Sequence, residues 1–268
     1  MYLNEQLLNS VEAIIKDASK ILCHSFTVNE KGDPTNLVTS ADIAVQKFLE
    51  EKLCALIPDS SFFGEESAEK GLKGDYIWIV DPIDGTTNFT RGIGEYAISV
   101  ALYNKGKIIL GAVYNHKQDK MYTAMANKGA FCNNKPINVS NKQFKQSLFC
   151  TALSLYRKDF AQMCNNVISE AYMQCSDLRR FGSCALELCY LAEGMCDLYF
   201  EIRVFPWDYA AGILILQEAG GVVFSLNNQT IPFDRATPVI AANNIENFNI
   251  LNNIVKKHIK NVPYNEVF

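Results

Sequence analysis

Residues 76–89 read Tyr-Ile-Trp-Ile-Val-Asp-Pro-Ile-Asp-Gly-Thr-Thr-Asn-Phe, an apolar run stopped by two aspartates that flank Pro82. The β-branched and aromatic residues at 76–80 predict a buried strand, and Asp84-Gly85 followed by two threonines predicts a turn opening a helix. Asp81 and Asp84 are then expected at the carboxyl end of the strand, facing the unpaired N–H groups of a helix start. Carboxylates hold divalent cations and helix N-termini hold phosphate, so one short segment carries parts for both. The alternative reading is an ordinary strand-to-helix turn whose aspartates only favour the helix dipole.

With 268 residues, 49% of them hydrophobic, the chain can bury a core as one large or two modest domains. Its 25 Lys and Arg against 29 Asp and Glu make a slightly acidic surface without a basic block. That balance argues against a dedicated nucleic-acid binder, and a small anionic substrate would have to be attracted locally, by bound cations. Nine scattered cysteines without a Cys-x-x-Cys pair point to reduced thiols and a cytoplasmic protein, with Cys184, Cys189 and Cys196 read as core residues. His24, His116 and His258 share no metal-ligand spacing, which disfavours zinc. No apolar stretch approaches the ~18 residues of a membrane span, so no membrane association is expected.

Leu7, Leu8, Val11, Ile14, Ile15, Ala18 and Ile21 recur at helical spacing and predict an amphipathic N-terminal helix. A second helix is predicted from Ser40, with Asp42 in its first turn, to just before Pro58. Strands at 97–103, 108–114 and 121–124, with a hairpin signal at 104–107, predict an antiparallel meander. From Ser147 onward strands alternate with helices: strand 148–151, helices near 159–171 and 183–192, strand 198–202. Asp208 reads as the cap of a buried helix ending at Gly220-Gly221, followed by a strand at 239–242 and a terminal amphipathic helix. The expected organisation is an N-terminal half, 1–145, and a C-terminal half, 146–268, in one compact unit.

Three further acidic sites lie at element boundaries: Glu65-Glu66, Asp208 and Asp42. Each is also readable as a solvated turn, an N-cap or a dipole-complementing residue. Oxygen ligands without His or Cys partners fit Mg²⁺, with Mn²⁺ as a substitute. A carboxylate pair such as Asp81 and Asp84 can bridge two ions roughly 3.5–4 Å apart, the separation used for in-line displacement at phosphorus.

The blocks Leu-Val-Thr-Ser-Ala-Asp at 37–42, Gly-Glu-Glu-Ser at 64–67, Trp-Ile-Val-Asp-Pro-Ile-Asp-Gly-Thr-Thr-Asn-Phe at 78–89, Lys-Gly-Ala-Phe-Cys-Asn at 128–133, and Trp-Asp-Tyr-Ala-Ala-Gly with Glu-Ala-Gly-Gly at 207–221 span most of the chain. Together they resemble the inositol monophosphatase family. The resemblance implies a layered α/β/α/β/α sandwich of the inositol monophosphatase and fructose-1,6-bisphosphatase type, and a homodimer. It implies two to three Mg²⁺ ions, held by Glu65, Asp81 and the Ile83 carbonyl and by Asp81, Asp84 and Asp208. Gly85 and Thr86 would offer N–H groups to the phosphate. Glu65 and the Thr86 hydroxyl would orient the attacking water, Asp42 would accept a hydrogen bond from Thr86, and a water near Asp208 would protonate the leaving alkoxide. Sensitivity to Li⁺ is implied as well.

The substrate implied is a small phosphorylated polyol or sugar, foremost myo-inositol 1-phosphate, with Glu201, Gly182 and Ser183 beside the sugar-like group. Gly94 and the stretch 153–157 depart from the family pattern. Arg179 and Arg180 add positive charge near the implied substrate loop. That keeps fructose 1,6-bisphosphate and other sugar or nucleotide phosphates as alternatives, beside a non-catalytic regulatory member of the family.

Overall fold

The computed structural model describes residues 4–30, 37–70, 73–153 and 157–261. Two amphipathic helices open the chain, joined by a small antiparallel pair. In α1 (Glu5–Ser19), Leu7, Val11, Ile15 and Ala18 form the buried stripe, and Asn4 caps the helix by accepting from Leu7 N at 2.8 Å. Strands β1 (Val28–Glu30) and β2 (Leu37–Thr39) then lead directly into α2 (Ser40–Leu56), which buries Val45, Leu49 and Leu53. Both helices lie where their periodicity predicts.

A seven-stranded sheet follows, in the order β3 (Ser61–Gly64), β4 (Tyr76–Asp84), β5 (Ala97–Asn104), β6 (Lys107–Asn115), β7 (Lys120–Met125), β8 (Ala130–Cys132), β9 (Lys135–Ile137). Only β3 and β4 pair parallel; from β4 onward the sheet is an antiparallel meander. The predicted hairpin joins β5 to β6 through Lys105 and Gly106, both at positive φ, the requirement of a tight two-residue turn. The short strands β8 and β9 were not anticipated. Between β4 and β5 lies α3 (Thr86–Thr90), a single turn.

The strand at 76 does not stop at Asp81. It continues through Pro82 and Ile83 to Asp84, because a bulge absorbs the irregularity: Asp81 faces Ser99 and Asp84 faces Ala97, so three steps of β4 span two of β5. Pro82, with no N–H for the ladder, is tolerated inside that bulge.

The second half forms a five-stranded sheet with helices: β10 (Leu148–Thr151), α4 (Ala161–Tyr172), β11 (Asp177–Arg179), α5 (Cys184–Ala192), β12 (Leu198–Val204), α6 (Pro206–Glu218), β13 (Val222–Phe224), β14 (Thr237–Ala242) and α7 (Ile245–His258). Its order is β11-β10-β12-β14-β13, parallel on the β10 side and antiparallel around β14. The short strands β11 and β13 escaped the sequence pattern. Asp208 is not the cap of α6: the helix begins two residues earlier at Pro206, a residue suited to the first turn, and Asp208 sits at its third position. Of the departing stretch 153–157, residues 154–156 lie outside the described residues.

Alternation along β4 shows how the layers form. Trp78 and Val80 point into a core shared with α1 and α2, while Ile77 and Ile79 point into a second core shared with α5 and α6. Strand β12 repeats the pattern, with Tyr199 in the second core and Leu198 and Phe200 in a third beneath α4 and α7. The result is an α/β/α/β/α sandwich with three apolar cores, the central one covering both faces of the α5–α6 layer. Helix α6 sits against the larger sheet at Gly111, where a Cβ would come within 2.8 Å of the Ala211 carbonyl oxygen. The nine cysteines are free, and Cys184, Cys189 and Cys196 pack in the central core as expected. Among the described residues, no helix is long and apolar enough to cross a membrane.

Candidate active site

Three chain segments end at one place: the bulged end of β4 and the N-termini of α5 and α6. Asp81, Asp84 and Asp208 bring carboxylate oxygens within 4.8 Å of one another. Asp81 is 2% and Asp84 7% exposed, and Asp208 is half-buried. Glu65 follows β3, whose Gly64 is the register partner of Val80, so it emerges beside Asp81.

This clustering is electrostatically unfavourable in the protein alone. Burial pushes the Asp81 carboxyl well above the usual range, and the charges of Glu65, Asp84, Asp208 and Asp42 push it further. Burial raises Asp84 to about 7, opposed by hydrogen bonds from Ser183 and Ala185. Asp208 is raised by burial and then by Asp84 and Glu65. A buried, mutually repelling set of oxygen donors is the environment a hard divalent cation relieves, so the residues present fit Mg²⁺.

The cluster's oxygens are aimed by backbone. Asp81 Oδ1 accepts from Ile83 N at 2.9 Å, and Asp208 Oδ2 accepts from Phe205 N at 2.8 Å. Asp84 Oδ2 accepts from the Ser183 hydroxyl and from Ala185 N at 2.7 Å. Gly85 has φ +96°, and a Cβ there would lie 3.0 Å from the Glu95 carbonyl oxygen, so glycine is the residue that turns the chain from β4 into α3 without strain.

The Thr86 hydroxyl donates to the Ile83 carbonyl at 3.1 Å, not to Asp42 as the resemblance implies. Thr86 lies three residues after Ile83, within one turn's reach. Asp42 Oδ2 meanwhile accepts from Thr39 N and Thr39 Oγ1 at 2.7 and 2.6 Å, closing the capping box of α2.

Glu201 lies on β12, 9% exposed, and accepts from the Tyr199 hydroxyl at 2.8 Å. Burial raises it to about 7 against the lowering effects of Tyr199, Arg180 and Arg203. Its charge acts on Asp208, which joins it electrostatically to the carboxylate cluster. Gly182 and Ser183 come in at the start of α5, where the Gly182 carbonyl oxygen lies 3.2 Å from where a Gly85 Cβ would be. Of the two arginines singled out, Arg179 is engaged at the surface by Asp177 at 2.6 Å, and only Arg180 contributes charge at Glu201.

The roles of two residues at the site escaped the sequence reading. Asn88 Nδ2 donates to Glu95 O at 2.6 Å and Phe181 O at 2.7 Å, tying α3 to the turn before α5. Glu187 is a carboxyl buried in α5, and its signal was available: one acid inside the apolar run 184–192, all of it buried.

The sequence pattern of the Inositol monophosphatase family matches residues 2–260. The chain belongs to the inositol monophosphatase family. Inositol monophosphatase 1 of Homo sapiens is 33% identical over 271 residues, 97% of this chain and 96% of that one. Nus factor SuhB of Pasteurella multocida is 39% identical over 197 residues, 71% of this chain and 72% of that one. Among solved structures, the extragenic suppressor protein suhB of Bartonella henselae superposes with a TM-score of 0.85 at 32% identity, covering 95% of this chain and all of its own. The SaIMPase-II structures, with inositol monophosphate bound (TM-score 0.77, 25% identity, 94% of this chain and 95% of that one) and with 2′AMP bound (0.81, 26%, 95% of each), share the fold. Members of the inositol monophosphatase family with enzyme names and with regulatory names thus both resemble this chain.

Proposed function

We propose that the protein is a Mg²⁺-dependent phosphatase that hydrolyses a small phosphorylated polyol, with myo-inositol 1-phosphate as the leading substrate. The observation that carries this reading is the convergence of Asp81, Asp84 and Asp208 within 4.8 Å in a buried, self-repelling cluster. Glu65, Asp81 and the Ile83 carbonyl would hold one ion, and Asp81, Asp84 and Asp208 another, with Mn²⁺ as a substitute. The chemistry supplied by bound ions is Lewis-acid stabilisation of phosphoryl charge and acidification of water to a nucleophile near neutral pH.

The chain's own residues do the rest. Gly85 and Thr86 offer backbone N–H groups to the phosphate oxygens. Glu65 and the Thr86 hydroxyl orient the attacking water, and Asp42 holds the start of α2 beside them. Asp208 holds the water that protonates the departing alkoxide. Glu201, raised to about 7, exists in both protonation states near neutral pH, so it can donate to or accept from a substrate hydroxyl. Gly182 and Ser183 complete the polyol subsite.

The inositol monophosphate and 2′AMP seen in SaIMPase-II support a phosphorylated substrate. A second reading, a sugar bisphosphate, is favoured by Arg180, whose charge acts at Glu201. A third, a regulatory role without turnover, is favoured by the relatives named Nus factor SuhB. We further assign the protein to the cytoplasm, as a homodimer inhibited by Li⁺. The free cysteines support the first, and the others rest on the family resemblance.

Phosphate release, with and without Mg²⁺, from inositol 1-phosphate, fructose 1,6-bisphosphate, NADP and 3′-phosphoadenosine 5′-phosphate tests these readings together. Mg²⁺-dependent preference for inositol 1-phosphate is the expected result. Preference for a bisphosphate selects the second reading, and silence on all four selects the third. Li⁺ is expected to inhibit uncompetitively, and sedimentation is expected to give twice the 30.0 kDa chain mass.

A further inference from the structure

Glu187 is 1% exposed on α5, a helix whose nine residues are all buried. A carboxyl there forfeits solvation that leucine would not need, so it must be compensated by bonds. Its Oε1 accepts two of them, from Phe181 N at 2.6 Å and Gly182 N at 3.0 Å. Those amides belong to an irregular turn between β11 and α5, where no ladder would otherwise satisfy them.

The same turn is gripped from the other side. Asn88 donates to the Phe181 carbonyl, and the next residue but one, Ser183, donates its hydroxyl to Asp84. Glu187 therefore holds the donor face of the turn while Asn88 holds its acceptor face. Both amides go to one oxygen of Glu187, so the uncharged carbonyl oxygen of a glutamine can offer the same acceptor.

We infer that Glu187 is a positioning residue: by accepting the Phe181 and Gly182 amides it holds the turn at 181–183 against Asp84 and so sets affinity for the hydroxyl-bearing part of the substrate. The inference rests on the proposed function in taking this turn as the polyol subsite. Glu187 bonds the turn and not Asp84 itself, so with Mg²⁺ saturating, substrate affinity should respond to it more than the rate at phosphorus.

The test compares full-length wild type, Glu187→Leu and Glu187→Gln. In Glu187→Leu, which removes both bonds, KM for inositol 1-phosphate is expected to rise about tenfold. With Mg²⁺ saturating for each variant, its kcat, and its hydrolysis of p-nitrophenyl phosphate, which has no polyol, are expected to stay within about twofold. Glu187→Gln keeps the acceptor and should restore KM. Hydrogen exchange in Mg²⁺-free protein should show the Phe181 and Gly182 amides protected in wild type and Glu187→Gln and unprotected in Glu187→Leu.

An unchanged KM in Glu187→Leu, or a fall in kcat equal to the rise in KM, overturns the inference. If Glu187→Leu does not fold, the wild-type amides decide: exchange at the rate of unstructured peptide overturns it, and protection lasting as long as that of α5 supports it. Wild type inactive on both substrates sinks the phosphatase reading instead, while amide protection still reports on Glu187.

Discussion

Asp84 and Ser183, 99 positions apart in the chain, are joined by a hydrogen bond from the Ser183 hydroxyl to Asp84 Oδ2, which also accepts from Ala185 N. The start of α5 thereby grips one oxygen of a carboxylate that belongs to the other sheet. Ser183 is at the same time the N-cap of α5, accepting from Leu186 N at 3.3 Å. One side chain orients a candidate ligand and closes a helix.

Ser183→Ala should therefore have two separable effects. Loss of the cap should lower stability by about 1 kcal/mol in denaturant titration. Loss of the donor should raise the Mg²⁺ concentration needed for half-maximal turnover by roughly 10–100-fold, as with other residues that orient metal ligands. An unchanged Mg²⁺ requirement would separate Ser183 from the ion.

Asp81→Asn removes the carboxylate on which Glu65, Asp84, Asp208 and Asp42 all act. Turnover is expected to fall at least about 100-fold. In metal-free buffer the melting temperature should stay level or rise, because a repelling charge has left a buried cluster. A folded variant with wild-type turnover contradicts the metal assignment.

The pH dependence of the metal-free protein has a defined sign. Asp84 is raised from 3.8 to about 7, Glu201 from 4.5 to about 7 and Glu187 from 4.5 to about 8, with burial first among the causes in each. The folded chain thus keeps protons that the unfolded chain releases. The stability these groups contribute is complete below about pH 4 and is lost as pH rises through about 7 to 8. Melting curves in EDTA should accordingly fall across that window, and the gain on adding Mg²⁺ should grow with pH because the ligands must be deprotonated. A Mg²⁺ shift independent of pH would speak against binding at these carboxylates.

Gly85→Ala places a Cβ 3.0 Å from the Glu95 carbonyl oxygen at φ +96°. It should destabilise the protein by about 1–2 kcal/mol, measured by chemical denaturation. It should also depress turnover, because the shifted turn carries the Thr86 hydroxyl. Wild-type turnover with lowered stability would confine Gly85 to a structural role.

Much of the architecture was legible because it follows from one-dimensional spacing. The stripes at Leu7, Val11 and Ile15 and at Val45, Leu49 and Leu53 are buried on one face each. The Lys105-Gly106 turn closes the hairpin its composition predicts. What escaped is short or locally contradictory. Strands β8, β9, β11 and β13 have three residues each, too few to show a period. Asp-Pro-Ile-Asp reads as a strand breaker, yet pairing with β5 carries the strand through it on a bulge. Glu187 stood out as one acid in an apolar helix, but its role was not legible until the amides it serves were in view.

The sequence by itself determined the separate helices and strands and the pairing of Asp81 with Asp84, since local patterning and a two-residue separation survive any change in the rest of the chain, and its motif blocks implied the family and with it the sandwich. Only the tertiary structure decided how distant groups reach that pair, Asp208 as the resemblance implies and Ser183 as a donor to Asp84. Asp208 and Ser183 reach it because the central core buries α5 and α6 against the larger sheet, with their N-termini at the end of β4. Three-dimensional packing sets those distances, and no spacing along the chain encodes them.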